Sequence, residues 1–403
     1  MRAPLPSHSV PRPLNWLLWV GAILLGLVLI LSDLLQLDGI RLSQARLIVG
    51  RDFFNVWSGG RLALSGQLDR IYDYQAYMAW QAATVGPLDP YNYSYPPQSL
   101  FLALPFGSLP YIPALLLWTI AGACFFLWAA RPYMPASLPR ILAIATPAAI
   151  VNIWCGHYGF IIGGLWLLFF RTVDRAPARS GVIAGLMTIK PHLGLLIAAL
   201  LAYRRMTKAI FIAAAVAVSL ILLSGFAFGF DLWRQWLIET SALQTRIMNA
   251  AGDKFYFFMM PSAYIAFRSL PVMLAAAIQG IFSVAALCLV WRARDADPKQ
   301  LAFISASATA IIMPYIFNYD LTVASLGFAI LLYGRWNALT LWERAFLWFA
   351  FAAPLLVMVF NPIAPLSLLA GLVIQLRHTQ DDAGYALRPF GRIWPSKARQ
   401  ALS

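Results

Sequence analysis

Charge is scarce in this chain. Of its 403 residues only 11% are Asp, Glu, Lys or Arg, while 61% are hydrophobic and the mean hydropathy is +0.71. A soluble globular domain carries about 25% charge, so that class is excluded. Acids are scarcer than bases, 16 against 30, for a net charge of +14. Cysteine is almost missing. Cys124, Cys155 and Cys288 fall at no spacing that makes a zinc site or a disulfide framework, and they read as packing residues. Histidine is rare too, with four in all. His157 and His192 form no metal motif by spacing. Ligation together with Asp320 is a weak alternative, and no divalent metal is expected. No internal repeat and no low-complexity tract is evident.

What the chain does have is apolar runs near the roughly 20 residues needed to cross a bilayer as helix. It reads as an all-α polytopic membrane protein. The first run, Leu14–Leu37, is too long for the apolar core of a signal peptide and has no small-x-small cleavage site after it. It reads as a retained anchor. The positive excess sits in short loops: Arg131 and Arg140; Arg171, Arg175 and Arg179; Arg204, Arg205 and Lys208; Arg292, Arg294 and Lys299; Arg335 and Arg344. The positive-inside bias puts these loops in the cytoplasm. The charge therefore describes topology, with the bilayer as partner and no nucleic acid.

Between the basic loops lie hairpins of apolar segments, about 12 transmembrane or half-spanning helices in all, with both termini inside. Gln98–Ala130 is too long for one plain span and is broken at Pro105 and Pro110. Ile141–Val151 is too short to cover about 30 Å at 1.5 Å per residue, so its far end stops inside the membrane. Such ends are tolerated where they are buried or line a wet cavity. The turns Asn152–His157, Lys190–His192 and Asn318–Asp320 are polar, and together they suggest the floor of a polar cavity open to the outer face. Residues 1–376 read as one membrane domain, with outer loops at 38–97 and 231–261 and a basic cytoplasmic tail at 377–403. Both outer loops mix aromatics with charges. Asp52–Gln81 and Leu232–Met248 read as amphipathic helices lying on the outer leaflet, although ordinary aromatic anchoring also explains their tryptophans.

Three places could carry chemistry. Asp52 lies shortly after the first run. It is either a solvated acid, a partner of Arg51, or a partly buried carboxylate with a raised pKa that acts as a general base. Lys190 is the only lysine before Lys208, and it interrupts an apolar stretch. A cation at such depth is costly and by default functional. Pro191 suits the first position of a new helix, whose free N–H groups beside Lys190 and His192 would make an anion site. The competing reading is a lysine snorkelling to the interface. Asn152 and Asn318 are adequately explained as helix caps. Asp320 is open to three readings: a capping acid, a partner for Lys190, or an orienter of His192.

These residues fall in strings that resemble glycosyltransferase family 87. The strings are Arg51-Asp52-Phe53 with Trp57 and Gly60, Ile71-Tyr72-Asp73, Tyr93-Ser94-Tyr95-Pro96-Pro97, Asn152 with Gly156, Ala184-Gly185-Leu186 through Lys190-Pro191-His192, Tyr203-Arg204-Arg205, and Pro314 through Asp320. Each is loose alone, but they occur in order from Asp52 to about Tyr333. The resemblance implies a GT-C-like membrane enzyme of the bacterial inner membrane, with its active site facing the periplasm. It implies transfer of mannose or a similar sugar from a polyprenyl-phosphate donor to a lipid or glycan acceptor, without a cofactor. The acceptor-activating aspartate maps onto Asp52, and the donor-phosphate contacts onto Lys190 and His192. Arg51, Trp57, Tyr95, Asn152, His157, Asn318, Tyr319 and Asp320 complete the candidate substrate-binding set. Members often carry Gly-Gln where this chain has Gly156-His157, and histidines near its Asn318-Tyr319-Asp320. The rival class is a transporter or flippase of lipid-linked sugars, since midplane polar turns and broken helices mark transporters as well.

Overall fold

The computed structural model describes residues 12–42, 46–89, 91–136, 138–250, 252 and 254–383. The first apolar run folds as α1 (Arg12–Leu34). The outer loop that follows is not purely helical. Leu37–Asp38 (β1), Arg41–Leu42 (β2) and Leu47–Ile48 (β3) form a small antiparallel sheet in the order β1-β2-β3. Gly39-Ile40 is the two-residue loop that turns β1 into β2, with Gly39 at φ +64°, the positive φ that such hairpin loops ask of their first residue. Then come α2 (Phe53–Leu64) and α3 (Tyr74–Val85).

The expectation that Asp52–Gln81 lies on the leaflet surface is overturned at α2. Phe53 to Gly60 and Leu62 are all buried, because two glycines let another backbone into contact. A Cβ on Gly60 would meet the Ala103 carbonyl oxygen at 2.3 Å, and one on Gly107 would meet Gly60 itself at 2.3 Å. The partner is α4 (Ser99–Gly107). At its far end α2 closes in a Schellman turn: Gly66 is left-handed at φ +70°, and Gln67 N–H donates to Leu62 at 2.9 Å.

The long run at 98–130 divides at 108–110 into α4 and α5 (Tyr111–Ala130), with Pro105 kept inside α4. The expected short hairpins follow as α6 (Pro147–Cys155) with α7 (Gly159–Thr172), and α8 (Pro177–Leu186) with α9 (Leu195–Tyr203). Next are α10 (Thr207–Phe228) and the second outer stretch, α11 (Asp231–Gln235), a π-turn at Trp236–Thr240, α12 (Ser241–Met248) and α13 (Ala263–Ala266). The chain returns through α14 (Val272–Ala293), α15 (Pro298–Ile312), α16 (Thr322–Arg335), α17 (Leu341–Leu356) and α18 (Ile363–Ala383). The expected tail thus begins inside α18, where Arg377 meets Glu343 of α17 at 2.9 Å. Residues 384–403 lie outside the described residues.

Three described helices are long and apolar enough to cross a membrane: α5, α10 and α14. Trp19–Leu34, Gly159–Thr172, Pro191–Tyr203 and Ile363–Thr379 are apolar but shorter. The others in the expected set of twelve fall short of this. Phe211, Phe226, Met273 and Ile281 on α10 and α14 project outward almost bare. Apolar side chains facing out along whole helices match hydrocarbon rather than water, so this is a membrane protein. Cys124 and Cys288 share that outer face and only Cys155 is buried, which corrects the packing role expected of all three. One apolar cluster runs inside from Trp19 to Leu376. Within it α6 packs against α1, α16, α17 and the turn at 318–321.

The glycine contact yields a prediction. Gly60→Ala should lower the Tm in detergent by several degrees, because overpacking costs about 1–3 kcal/mol. Gly280→Ala on α14, where an added Cβ meets nothing within 4 Å, should leave Tm unchanged or raise it. Differential scanning fluorimetry of the two variants checks this.

Candidate active site

Asp52 stands at the N-cap position of α2 but makes no side-chain cap bond. Its carboxylate is therefore left to the surroundings. Those surroundings are the three polar turns, assembled by local constraints. At the end of α6, Gly156 takes a left-handed conformation at φ +60°. A Cβ there would meet Phe53 at 2.6 Å and the Gly50 carbonyl oxygen at 3.0 Å, so only glycine lets the 156–157 turn lie against the Asp52 segment. Asn152 Oδ1 accepts the Gly159 N–H at 2.9 Å and starts α7, which is the capping role expected of it. The 318–321 turn sits on that same start: Thr322 Oγ1 donates to the Gly159 carbonyl at 3.1 Å, and a Cβ on Gly159 would strike the Tyr319 carbonyl. Asn318 Nδ2 ties the turn to the Pro354 carbonyl of α17 at 2.7 Å.

At the third turn Pro191 takes the first position of a helix, as expected, but the first turn is 3-10 rather than α. Met187–Ile189 and Pro191–Gly194 are short 3-10 turns, and α9 starts only at Leu195. Lys190 lies between them in an extended-side conformation, φ −135° and ψ 72°, which the residue before a proline prefers to α. Lys190 stands at the N-cap of the 191–194 turn, which runs without a break into α9. Gln98 Nε2 anchors this turn by donating to the Thr188 carbonyl at 3.0 Å.

Across the turns, Lys190 Nζ meets Asp320 Oδ1 at 2.5 Å, with side-chain exposures of 8% and 1%. Two of the three readings of Asp320 hold together: Oδ1 pairs with Lys190, and Oδ2 caps its own turn by accepting the Phe317 N–H at 3.4 Å. His157 Nδ1 is 3.9 Å from the same carboxylate oxygen, its Nε2 is 2.7 Å from the Tyr95 hydroxyl, and its ring stacks on Tyr319 with centroids 3.8 Å apart. His192 is half-buried, and its Nε2 has no hydrogen-bond partner among the described residues. The expected cavity floor is thus a set of turns in mutual contact. A narrow crevice lined by Asn152, Gly156, His157 and Trp118 reaches the cluster from behind. A larger hollow of about 360 Å³ lies at the other end of α2, between Arg61, Gln67, Trp80 and Ser108.

Burial pushes the Asp52 carboxyl up from its ordinary 3.8 to about 6. Asp320 adds to that rise, while Lys190, the Tyr319 side chain and Arg51 oppose it. Two candidates from the sequence are occupied elsewhere. Trp57 donates its indole N–H to the Leu109 carbonyl at 3.0 Å and packs among Phe54, Trp80 and Tyr111. Arg51 is bound two-pronged to Asp33, at 2.6 and 2.8 Å. Asp33 was missed from sequence, although an acid inside an apolar run is itself a signal. Among the described residues no three of His, Cys, Asp and Glu group as a metal site would require.

The comparisons with known proteins bear on this cluster. The model of glycosyltransferase family 87 matches residues 93–317, more than half of the chain. The chain belongs to that family. Neither a curated protein nor a solved structure matches it. The family match holds Tyr95, Asn152, His157, Lys190 and His192, and stops short of Asp52 on one side and Asn318–Asp320 on the other. The fold brings the flanking Asp320 into contact with the matched Lys190, and Asp52 within electrostatic reach of it.

Because the Lys190–Asp320 pair is buried, removing one partner should cost more than removing both. Lys190→Met is expected to destabilise by about 3–5 kcal/mol, and Lys190→Met with Asp320→Asn to recover most of that. Thermal unfolding of the two single variants and the double variant in detergent measures the coupling.

Proposed function

We propose that this glycosyltransferase moves a sugar, mannose or a similar one, from a polyprenyl-phosphate donor to a lipid or glycan hydroxyl at the outer membrane face, inverting the anomeric configuration. The observation that carries the reading is a half-buried carboxylate with its pKa near 6, not used as a helix cap, beside a buried ammonium. Asp52 takes the acceptor proton as the acceptor oxygen bonds to the anomeric carbon. The bond from that carbon to the phosphate oxygen breaks, and the lipid phosphate leaves with one more negative charge. It is already a good leaving group, so no second carboxylic acid is needed, in contrast to glycoside hydrolysis.

Lys190 and His192 receive that charge. An ammonium has three N–H donors, and Asp320 takes one of them. The others, with the unpartnered Nε2 of His192, are free for phosphate oxygens. Asp320 keeps Lys190 charged in a buried place. Tyr95 and Tyr319 hold the His157 ring between them.

The acid–base logic fixes the pH dependence. A base with a pKa near 6 is lost to protonation below that pH, so kcat/KM should fall about tenfold per unit below pH 6. The same shift sets a sign for stability. The folded carboxyl binds its proton more tightly than the unfolded one, so Asp52 costs stability progressively between pH 4 and 6, reaching roughly 3 kcal/mol above that range.

Asp52→Asn is therefore expected to lower turnover of labelled lipid-phosphate sugar about 10²–10⁴-fold, to leave donor binding near wild type, and to raise Tm at neutral pH. Wild-type turnover in that variant would rule out Asp52 as the base.

A further inference from the structure

We infer that Asp33 and Arg51 form a positioning clamp for Asp52: a buried, two-pronged ion pair that ties the end of the first helix to the peptide preceding the base. The inference rests on the reading of Asp52 as general base. Four observations carry it. First, Arg51 has φ +36°, a left-handed conformation that costs a side-chain-bearing residue on the order of 1–2 kcal/mol and persists only where the surroundings impose it. Second, the imposing contact is visible. Arg51 Nη1 and Nη2 donate to the two carboxylate oxygens of Asp33 at 2.6 and 2.8 Å, with side-chain exposures of 7% and 8%. This is the planar fork geometry that lysine cannot reproduce.

Third, the guanidinium lies over the Trp154 ring, 3.5 Å from its centroid. Trp154 belongs to α6, two residues before the Gly156 turn that abuts Phe53. The clamp thus locks α1, α6 and the Arg51 backbone together. Fourth, the backbone around Arg51 leads straight into α2. Its own N–H donates to Ile48 of β3 at 3.0 Å, its carbonyl accepts from Phe54 at 3.0 Å, and the Asp52 carbonyl accepts from Asn55 at 3.1 Å. Any rotation at Arg51 turns the Asp52 Cα–Cβ bond directly. With no cap bond of its own, Asp52 has its direction set by that backbone.

The clamp also places a charge. The ionic groups acting on Asp52 are Arg51, Lys190 from the 187–194 turns, and Asp320 from the 318–321 turn. Neutral titratable groups facing it are Tyr91 and Tyr95 of the outer loop, Tyr111 of α5, Cys155 of α6, and Tyr315 and Tyr319 before α16. Arg51 is the only one of these that Asp33 pairs with. Changing either member of the clamp therefore alters the field at Asp52 with a defined sign.

The test uses the full-length enzyme in detergent or nanodiscs with labelled lipid-phosphate sugar, recording kcat, KM and the acid limb of the pH–rate profile. Arg51→Leu removes a cation near Asp52 and is expected to move the limb to higher pH. Asp33→Asn leaves the cation uncompensated and is expected to move the limb to lower pH. Both should lower kcat about 10- to 100-fold at the plateau, as misplacement of a catalytic group does, with KM changed much less. Arg51→Lys keeps the charge and loses the fork, so it should lose kcat while its limb stays in place. A merely structural pair would give no opposed shifts. Limbs unmoved in Arg51→Leu and Asp33→Asn, with wild-type kcat in Arg51→Lys, would overturn the clamp. Full turnover in Asp52→Asn would instead overturn the base assignment, so the two failures read out differently.

Discussion

A buried ammonium needs an anion in contact, and much of this site follows from that one requirement. Lys190 and Asp320 lie 130 positions apart in the chain and meet at 2.5 Å in the interior. Leaving either charge unpaired at that depth would cost several kcal/mol. The pair therefore fixes how the turn between α8 and α9 faces the turn between α15 and α16. His157, stacked on Tyr319 and close to Asp320, is held by the same arrangement. The ion pair is doing the job that a continuous apolar core does elsewhere in the protein, and it leaves polar atoms at the surface of contact.

A second buried pair, Arg51 with Asp33, closes the other side. Asp52 lies between the two pairs. Taken formally, Asp33, Asp52 and Asp320 outweigh Arg51 and Lys190 by one negative charge, so the anion site expected at Lys190 sits in a cluster with no surplus of positive charge. Its tuning comes from burial and from directed donors rather than from surplus positive charge. This arrangement suits a carboxylate that must hold and release a proton near neutrality.

Much of this was legible in the sequence, and the misses have physical causes. The membrane class followed from scarce charge, and the hairpins followed from alternating basic loops. Lys190 stood out because a lone cation in an apolar stretch is costly, and Asn152 was readable as a cap. Its partner was not readable: Asp320 had three plausible roles, and contact across 130 residues leaves no local mark. The amphipathic pattern of α2 suggested a surface helix, since the pattern does not say what covers the apolar face. Gly60 and Gly107 decide that, through a backbone approach seen only in three dimensions. Pro191 was readable as a helix start, but not as a 3-10 first turn, since proline suits the first turn of a 3-10 helix as well as of an α-helix. The hairpin at Gly39 and the acid at Asp33 both carried local signals that were passed over inside and beside a long apolar run.

Gly156 shows how tightly this part of the protein is coupled. The space its missing side chain vacates is filled by Phe53 and the Gly50 carbonyl, so the start of α2 with Asp52 and the turn with His157 share a single molecular hinge-pin. Neither can drift through evolution alone. A lineage that enlarged this position would have to reshape both neighbouring segments in the same step, which makes residue 156 a bottleneck for the divergence of the whole site.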